Sequence, residues 1–384
     1  MPIESSDNPI VYLDNSSTTK PCAAAVQRMT EAMTENWGNP SSLHRLGVVA
    51  QLEMDAARWL LAEKLSCKPG EVYFTGGGTE ANNLALRGAV YAGKRRGDKI
   101  VTTAVEHPSV LETVAALERE GFQVVRLAPD SSGRVPDQAL DEAIDEKTIL
   151  VSVMYVNNET GAVQPVEAAA AAIRRKKAPA LLHCDCVQAF GKLPVKPARL
   201  GADLLTVSAH KIHGPKGVGA LYVSEKARIV PTLFGGGQER ALRPGTESTP
   251  LIAGFRGALE ELPEPGPALA RMTRLRDYAR EKLLATGQAQ INSASDALPY
   301  ILNFSCPGLR SEILLHDLES ADIFVSSGSA CAKGKESYVL RAQGISDRLA
   351  DSAIRVSFSR YNTEADVDAL ADALAASAAR RRRV

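Results

Sequence analysis

Seven short runs rich in apolar and β-branched residues, at 72–74, 99–103, 123–127, 149–155, 180–184, 203–207 and 218–223, constrain the fold more than any other feature of the chain. Most are separated by stretches whose apolar residues recur at helical spacing, as at 51–65, 81–92 and 110–119. That alternation predicts an α/β fold, with a mostly parallel seven-stranded sheet sandwiched by helices. In such sheets a ligand lies beyond the carboxyl ends of the strands. The conspicuous polar residues fall there: Gly77-Gly78-Thr79, Glu106-His107, Asn157-Asn158, Asp185 with Gln188, and Ser208 with His210 and Lys211. One crevice can hold them all. The stretch Glu261-Leu262-Pro263-Glu264-Pro265-Gly266-Pro267 breaks the pattern and reads as a boundary. A helical segment at 268–285 and strand-like pieces at 300–304 and 323–326 follow it, as expected of a smaller α+β domain.

Composition excludes several function classes. Lys+Arg and Asp+Glu number 45 each, so no net field favours nucleic acid or an anionic membrane. The one charge run, Arg380-Arg381-Arg382-Arg383, reads as a solvated tail and less readily as a contact for tRNA or an acidic partner. No stretch approaches the roughly 20 apolar residues of a membrane span, and the first residues lack a basic-then-apolar signal. Six cysteines without a regular framework suggest reduced thiols and a cytoplasmic protein. Cys184 and Cys186 flank Asp185; on a strand both thiols share the face opposite the carboxylate, so with His183 they read as core rather than a metal site.

The chemistry is suggested by two apolar runs that end in charge. Lys211 follows the run 203–207 into a Gly/Pro turn, where partial desolvation lets an amine lose its proton and attack a carbonyl; taken alone it is equally an ordinary strand-end charge. Asp185 sits inside a second apolar run, and a buried carboxylate needs a cationic or N–H partner. A protonated pyridinium nitrogen would be one, and the pair is what pyridoxal 5'-phosphate requires. Gly78 and Thr79 open a helix after a strand, so backbone N–H groups and a hydroxyl can bind its phosphate, although a structural turn would look the same. Arg355 alternates with apolar neighbours; it suits a bidentate α-carboxylate contact, or a buried ion pair within the protein.

The chain resembles the NifS/IscS-like cysteine desulfurases, class V aminotransferase-type enzymes of PLP fold type I. The resemblance runs from Tyr12-Leu13-Asp14-Asn15 through Asn39-Pro40-Ser41-Ser42-Leu43-His44, Thr75-Gly76-Gly77-Gly78-Thr79-Glu80-Ala81-Asn82-Asn83, Glu106-His107, Val156-Asn157-Asn158-Glu159, Asp185/Gln188 and His210-Lys211 to Ser326-Ser327-Gly328-Ser329-Ala330-Cys331 and Ile354-Arg355. It implies a large PLP-binding domain over 15–260 and a small domain over 1–14 and 261–384 that carries a cysteine loop at about 326–337. It also implies that Gly78, Thr79, His107, Asn157, Asp185, Gln188, Ser208, His210, Lys211 and Thr246 bind the cofactor, and that Asn157 and Arg355 bind the substrate. The catalytic residues would be Lys211, His107 and Cys331, with no metal. Thr246, in a Gly-rich loop, would meet the other subunit's phosphate in a homodimer.

Cys331 lies among small and basic residues, where exposure and the neighbouring Lys333 and Lys335 lower a thiol's pKa. The expected reaction removes sulfur from L-cysteine, giving L-alanine and a persulfide on Cys331. A sulfur acceptor, either an iron–sulfur scaffold or a ThiI-type tRNA-thiolating enzyme, then takes it; no membrane and no direct nucleic-acid contact is expected. From Cys331 to Tyr338 the segment is about two residues shorter than in IscS-type members, which bears on the acceptor. The rival readings are a selenocysteine lyase or another class V aminotransferase, which needs no loop thiol, and a non-enzymatic sulfur-relay protein.

Overall fold

The computed structural model describes residues 9–327 and 337–381. Its strands are β1 (Val11–Tyr12), β2 (Val72–Thr75), β3 (Lys99–Thr103), β4 (Gln123–Leu127), β5 (Thr148–Ser152), β6 (Leu181–Asp185), β7 (Leu204–Ser208), β8 (Gly219–Val223), β9 (Gln290–Ile291), β10 (Ile301–Ser305), β11 (Ile323–Phe324) and β12 (Ala353–Ser357). Seven form the main sheet in the order β2-β8-β7-β6-β5-β3-β4, and only β8 runs antiparallel to its neighbours. Strands β5 to β8 are buried along their whole length, as a sheet covered on both faces requires. Adjacent residues serve opposite cores. Leu150, Leu181 and Leu204 pack with the helices Gly78–Gly93 and Pro108–Arg119, while Val151, Leu182 and Leu205 pack with Arg45–Leu65, Val166–Lys176 and Thr249–Glu260.

A second, antiparallel sheet has the order β12-β10-β9, and β1 pairs in parallel with β11. All seven anticipated sheet strands are present, but two boundaries differ for identifiable reasons. Strand β5 stops at Ser152 rather than running on to 155, because the Met154 N–H donates to Glu106 Oε1 at 2.8 Å instead of to a neighbouring strand. The later helix begins at Pro265, inside the proline-rich stretch, since proline costs nothing in a first helical turn. Strands β1 and β9, two residues each, are too short to leave a pattern.

Strand β2 is an edge, and it is covered. Glu239 accepts from Phe74 N at 2.9 Å and forms a two-point ion pair with Arg58 at 2.6 and 2.9 Å, while the Arg240 guanidinium lies 3.8 Å from the Tyr73 ring centre. Glu239, Arg240 and Ala241 all have φ between 44° and 60°, a left-handed stretch that these contacts must hold in place. Glu239→Ala leaves Arg58 buried without its countercharge. Urea unfolding is expected to show a loss of about 3–5 kcal/mol, whereas Lys68→Ala, which breaks an exposed pair with Glu225, should leave the midpoint nearly unmoved.

Candidate active site

Most of the anticipated site residues converge on one cavity of about 310 Å³ at the carboxyl ends of β2, β3, β5, β6 and β7. Gly78, Thr79, His107, Asp185, Gln188, Ser208, His210, Lys211 and Arg355 all line it. At one end Gly77, with φ 140°, turns the chain out of β2 and into the helix Gly78–Gly93, whose first N–H groups have no partner within the helix. A Cβ on Gly78 would meet Val187 Cγ2 at 3.0 Å, so this turn is pressed against the floor of the cavity. Ser208 Oγ, also facing the cavity, is buried with no partner among the described residues. Free N–H groups and an unsatisfied hydroxyl at a helix start suit an anionic group.

Asp185 also lines the cavity. It is the last residue of β6 and is 4% exposed; Oδ2 accepts from Asn82 Nδ2 at 2.8 Å and Oδ1 from Val187 N at 2.9 Å. Two neutral donors hold a carboxylate in place without discharging it, so it remains able to pair with a cation. His107 caps the helix Pro108–Arg119. Its Nδ1 accepts from Ser109 N at 3.1 Å, and because a backbone N–H can only donate, the neutral ring carries its proton on Nε2. Burial pulls the His107 pKa down, and the Lys211 charge adds to this while Asp185 opposes it. His210 is pushed down to about 3 by burial, then by Lys211 and other nearby cations. Both imidazoles are therefore neutral at pH 7.

Lys211 Nζ donates to the carbonyls of Ser16 at 2.5 Å and Ser17 at 2.7 Å. Arg355, on β12, is 2% exposed; its Nη2 contacts Asp14 Oδ1 and Ser17 Oγ, each at 2.7 Å, and Nη1 donates to Asn158 O at 3.0 Å. Its Nε is buried without a partner among the described residues. Arg355 thus has a protein carboxylate beside it and a face on the cavity, so the two readings of this residue meet at one place.

Three anticipated residues are placed otherwise. Asn157 does not line the cavity: Nδ2 donates to Val105 O at 2.9 Å, and Oδ1 accepts from the backbones of Glu159 and Thr160, so its amide is spent in the turn, while Asn158 faces the cavity. Thr246 is exposed and away from this cavity. Cys331 lies outside the described residues. The sequence reading missed Ser16, Ser17, Asn82, Ser109, Met154 and Val187 as lining residues. Asn82 stood within a quoted motif, but nothing in the order of residues shows that 14–17 would fold against Lys211. Among the described residues no group of three or more His, Cys, Asp or Glu is placed to hold a metal ion.

Comparison with known proteins places the chain in context. The model of the family "Aminotransferase class-V" matches residues 11–370. "Cysteine desulfurase IscS" of Serratia proteamaculans is 42% identical over 370 residues, covering 93% of this chain and 90% of that protein. A solved structure described as a "NIFS-like protein" superposes with a TM-score of 0.91 at 37% identity, covering 97% of this chain and all of the other. Another, of SspA in complex with cysteine, has a TM-score of 0.81 at 32% identity over 92% of this chain and 99% of its own.

Behind the site, His183 bridges three strands, with Nδ1 2.9 Å from Ser152 Oγ and Nε2 3.1 Å from Thr206 Oγ1. Burial pulls its pKa down to about 4. The unfolded chain would bind a proton there near pH 6.5 that the folded one refuses until about 4, so this residue costs stability progressively as pH falls across that window. Glu106, pushed up to about 8 by burial, works in the opposite direction. A comparison of His183→Gln with the parent isolates the histidine. As pH falls from 7 to 5 the urea midpoint of the variant should rise relative to that of the parent, whatever the common trend set by groups such as Glu106, and parallel curves would show that His183 does not titrate on unfolding.

Proposed function

The chain belongs to the aminotransferase class-V family, and on that premise we propose that it is a pyridoxal-phosphate-dependent cysteine desulfurase. The observation that carries this reading is that one cavity gathers a strand-end lysine, a buried aspartate, an anion-binding helix start and an arginine. Gly78, Thr79, Ser208 and His210 would hold the phosphate, Asp185 the ring nitrogen, and Lys211 the aldehyde. When bound, pyridoxal phosphate supplies an electron sink that weakens the bonds around the substrate's Cα and the Cβ–S bond.

The chain's own groups do the rest. Arg355 takes the substrate α-carboxylate, exchanging part of its contact with Asp14, and its planar fork fixes the amino acid in one orientation. The Lys211 amine, freed from the Ser16 and Ser17 carbonyls, moves the Cα proton. With its proton on Nε2, neutral His107 would act as a donor to the substrate sulfur, and it would take up the thiol proton at Nε2 only in the other tautomer, with the proton on Nδ1. The Cys331 thiolate attacks the substrate sulfur; an S–S bond forms as the Cβ–S bond breaks, leaving a persulfide on Cys331 and, after proton uptake at Cβ, L-alanine. The other thiols support that choice, because burial pushes those of Cys22, Cys67, Cys184 and Cys306 upward, the second and fourth to about 12.

The protein would act as a homodimer, with Thr246 reaching the partner's phosphate. Trp37, Leu43, Trp59 and Phe234, each more than 60% exposed, are apolar surface that a second subunit could cover. Residues 15–260 would form the large domain, with 1–14 joining 261–384 in the small one. The pairing of β1 with β11 and the bridge from Asp14 to Ser357 favour that division. An iron–sulfur scaffold or a ThiI-type enzyme would accept the sulfur in the cytoplasm. Among the described residues no helix is long and apolar enough to cross a membrane.

Incubation with L-cysteine and a reductant should yield alanine and sulfide in equal amounts, and without reductant one added sulfur should map to the Cys331 peptide. Lys211→Ala should abolish turnover. Cys331→Ser should still bind L-cysteine yet release little sulfide; undiminished sulfide would reassign the enzyme to a lyase or aminotransferase. For Arg355→Ala, loss of a charged hydrogen bond worth about 1.5–3 kcal/mol predicts a fall in kcat/KM of roughly 10- to 150-fold.

A further inference from the structure

Lys192 is a buried cation that none of the steps above uses. It is 8% exposed, four residues beyond Gln188 in the turn after β6, with Nζ 3.1 Å from Gln188 Oε1 and 5.8 Å from the centre of the Tyr300 ring. The turn is built to bring it inward. Gly191, with φ 76°, precedes it, and a Cβ there would meet Leu262 Cδ2 at 2.8 Å and Ile212 Cγ2 at 2.9 Å. A small pocket of about 30 Å³ is lined by Lys192, Lys211, His213 and Tyr300, so the two lysines share one space behind the main cavity.

Gln188 is held from two sides by groups that leave its carboxamide no choice of orientation. Nε2 donates to Ser16 O at 2.9 Å, and a carbonyl can only accept. Oε1 accepts from Lys192, and an ammonium can only donate. Rotating the amide by half a turn would set like against like at both ends. Since Nε2 has two hydrogens and only one is directed at Ser16 O, the other is left for the main cavity, which Gln188 lines. We propose that Lys192 is a positioning residue for the cofactor: by donating to Gln188 Oε1 from the buried side, it fixes the carboxamide so that Nε2 offers an N–H to an acceptor oxygen of the bound ligand. This rests on the reading of the main cavity as a pyridoxal-phosphate site.

The surroundings explain why a lysine can do this without locking the site with excess charge. Lys192 is pushed down to about 7 by burial, then by the nearby Lys211 and Arg355 charges. Neutral His210 and His213, each lowered in part by Lys192 itself, add no charge around it. As an ammonium Lys192 can only donate to Gln188 Oε1; as an amine it keeps an N–H to donate there, and the Ser16 carbonyl, which can only accept, holds the carboxamide in the same orientation.

The test follows pyridoxal phosphate lost from the holoenzyme on dialysis, by visible absorbance, in Lys192→Met, Lys192→Leu, Lys192→Gln, Gln188→Ala and the double variant Lys192→Met/Gln188→Ala. Two apolar replacements keep the comparison if one fails to fold, and urea midpoints report folding separately. The apolar variants should lose cofactor about tenfold faster, the effect of one charged hydrogen bond, and Lys192→Gln, which keeps a donor, should stay within about threefold of the parent. In the Gln188→Ala background, Lys192→Met should add less than about twofold, because the residue acts through Gln188. Parent-like retention in the apolar variants, or a full additional effect without Gln188, overturns the proposal. A parent protein that holds no pyridoxal phosphate would instead overturn the reading of the site.

Discussion

Three cationic side chains, Lys192, Lys211 and Arg355, crowd one region of the protein, and their coexistence depends on the short segment from Asp14 to Ser17. Its Ser16 and Ser17 carbonyls receive Lys211, its Ser16 carbonyl also receives Gln188, and its Asp14 carboxylate and Ser17 hydroxyl receive Arg355. Without these acceptors each cation would face the others in a medium where unpaired charge is costly. The same segment, with Leu13 before it, is tied to β12, since Leu13, Asn15 and Ser16 all contact Ser357. The strand that carries Arg355 and the turn that carries Lys211 are thereby brought to one clamp.

That clamp keeps reactive groups occupied yet releasable. Two of the acceptors on Lys211 are backbone carbonyls, which orient its amine through hydrogen bonds that can be exchanged. Arg355 is matched to one, and a substrate carboxylate would have to compete with Asp14 for part of the guanidinium. Among the described residues, Asp185 receives neutral donors, Asn82 Nδ2 and Val187 N. Lys211, Arg355 and the held Asp185 carboxylate line one cavity, which therefore carries groups of both signs for a ligand with an anionic and a cationic end.

Burial separates structural from chemical side chains by the same logic. His183 and Glu106 sit behind the cavity, where burial drives both toward their neutral forms, and each is hydrogen-bonded into strands or the loops leaving them. Tyr338 donates to the Glu106 carbonyl at 2.6 Å, and Ser337 donates to Glu159, so the chain that re-enters the described structure at 337 is tied at once to the turns that surround the site. Ser326, one residue before the described chain breaks off, exchanges backbone hydrogen bonds with Arg355. Both ends of the segment around Cys331 are therefore attached to elements that form the cavity.

The sequence by itself determined the sheet, because strand and helix periods follow from which residues are apolar, and a run such as Leu181 to Asp185 is apolar on both faces only if helices cover both. It also determined most of the site, since residues at strand ends must lie along one edge of a parallel sheet; Gly78, Asp185, Ser208 and Lys211 were legible for that reason. Contacts between residues distant in the chain were decided only by the tertiary structure. Residues 16 and 17 meet 211 through backbone carbonyls, which every residue has and no sequence pattern marks, and the side chains of 14 and 17 meet 355 from the far end of the chain. Asn157 and Asn158 are adjacent and chemically identical, and only the turn geometry, with one amide spent on its own backbone, decides which of them faces the cavity. Lys192 read as nothing at all until the fold closed over Gly191 and set its amine against Gln188.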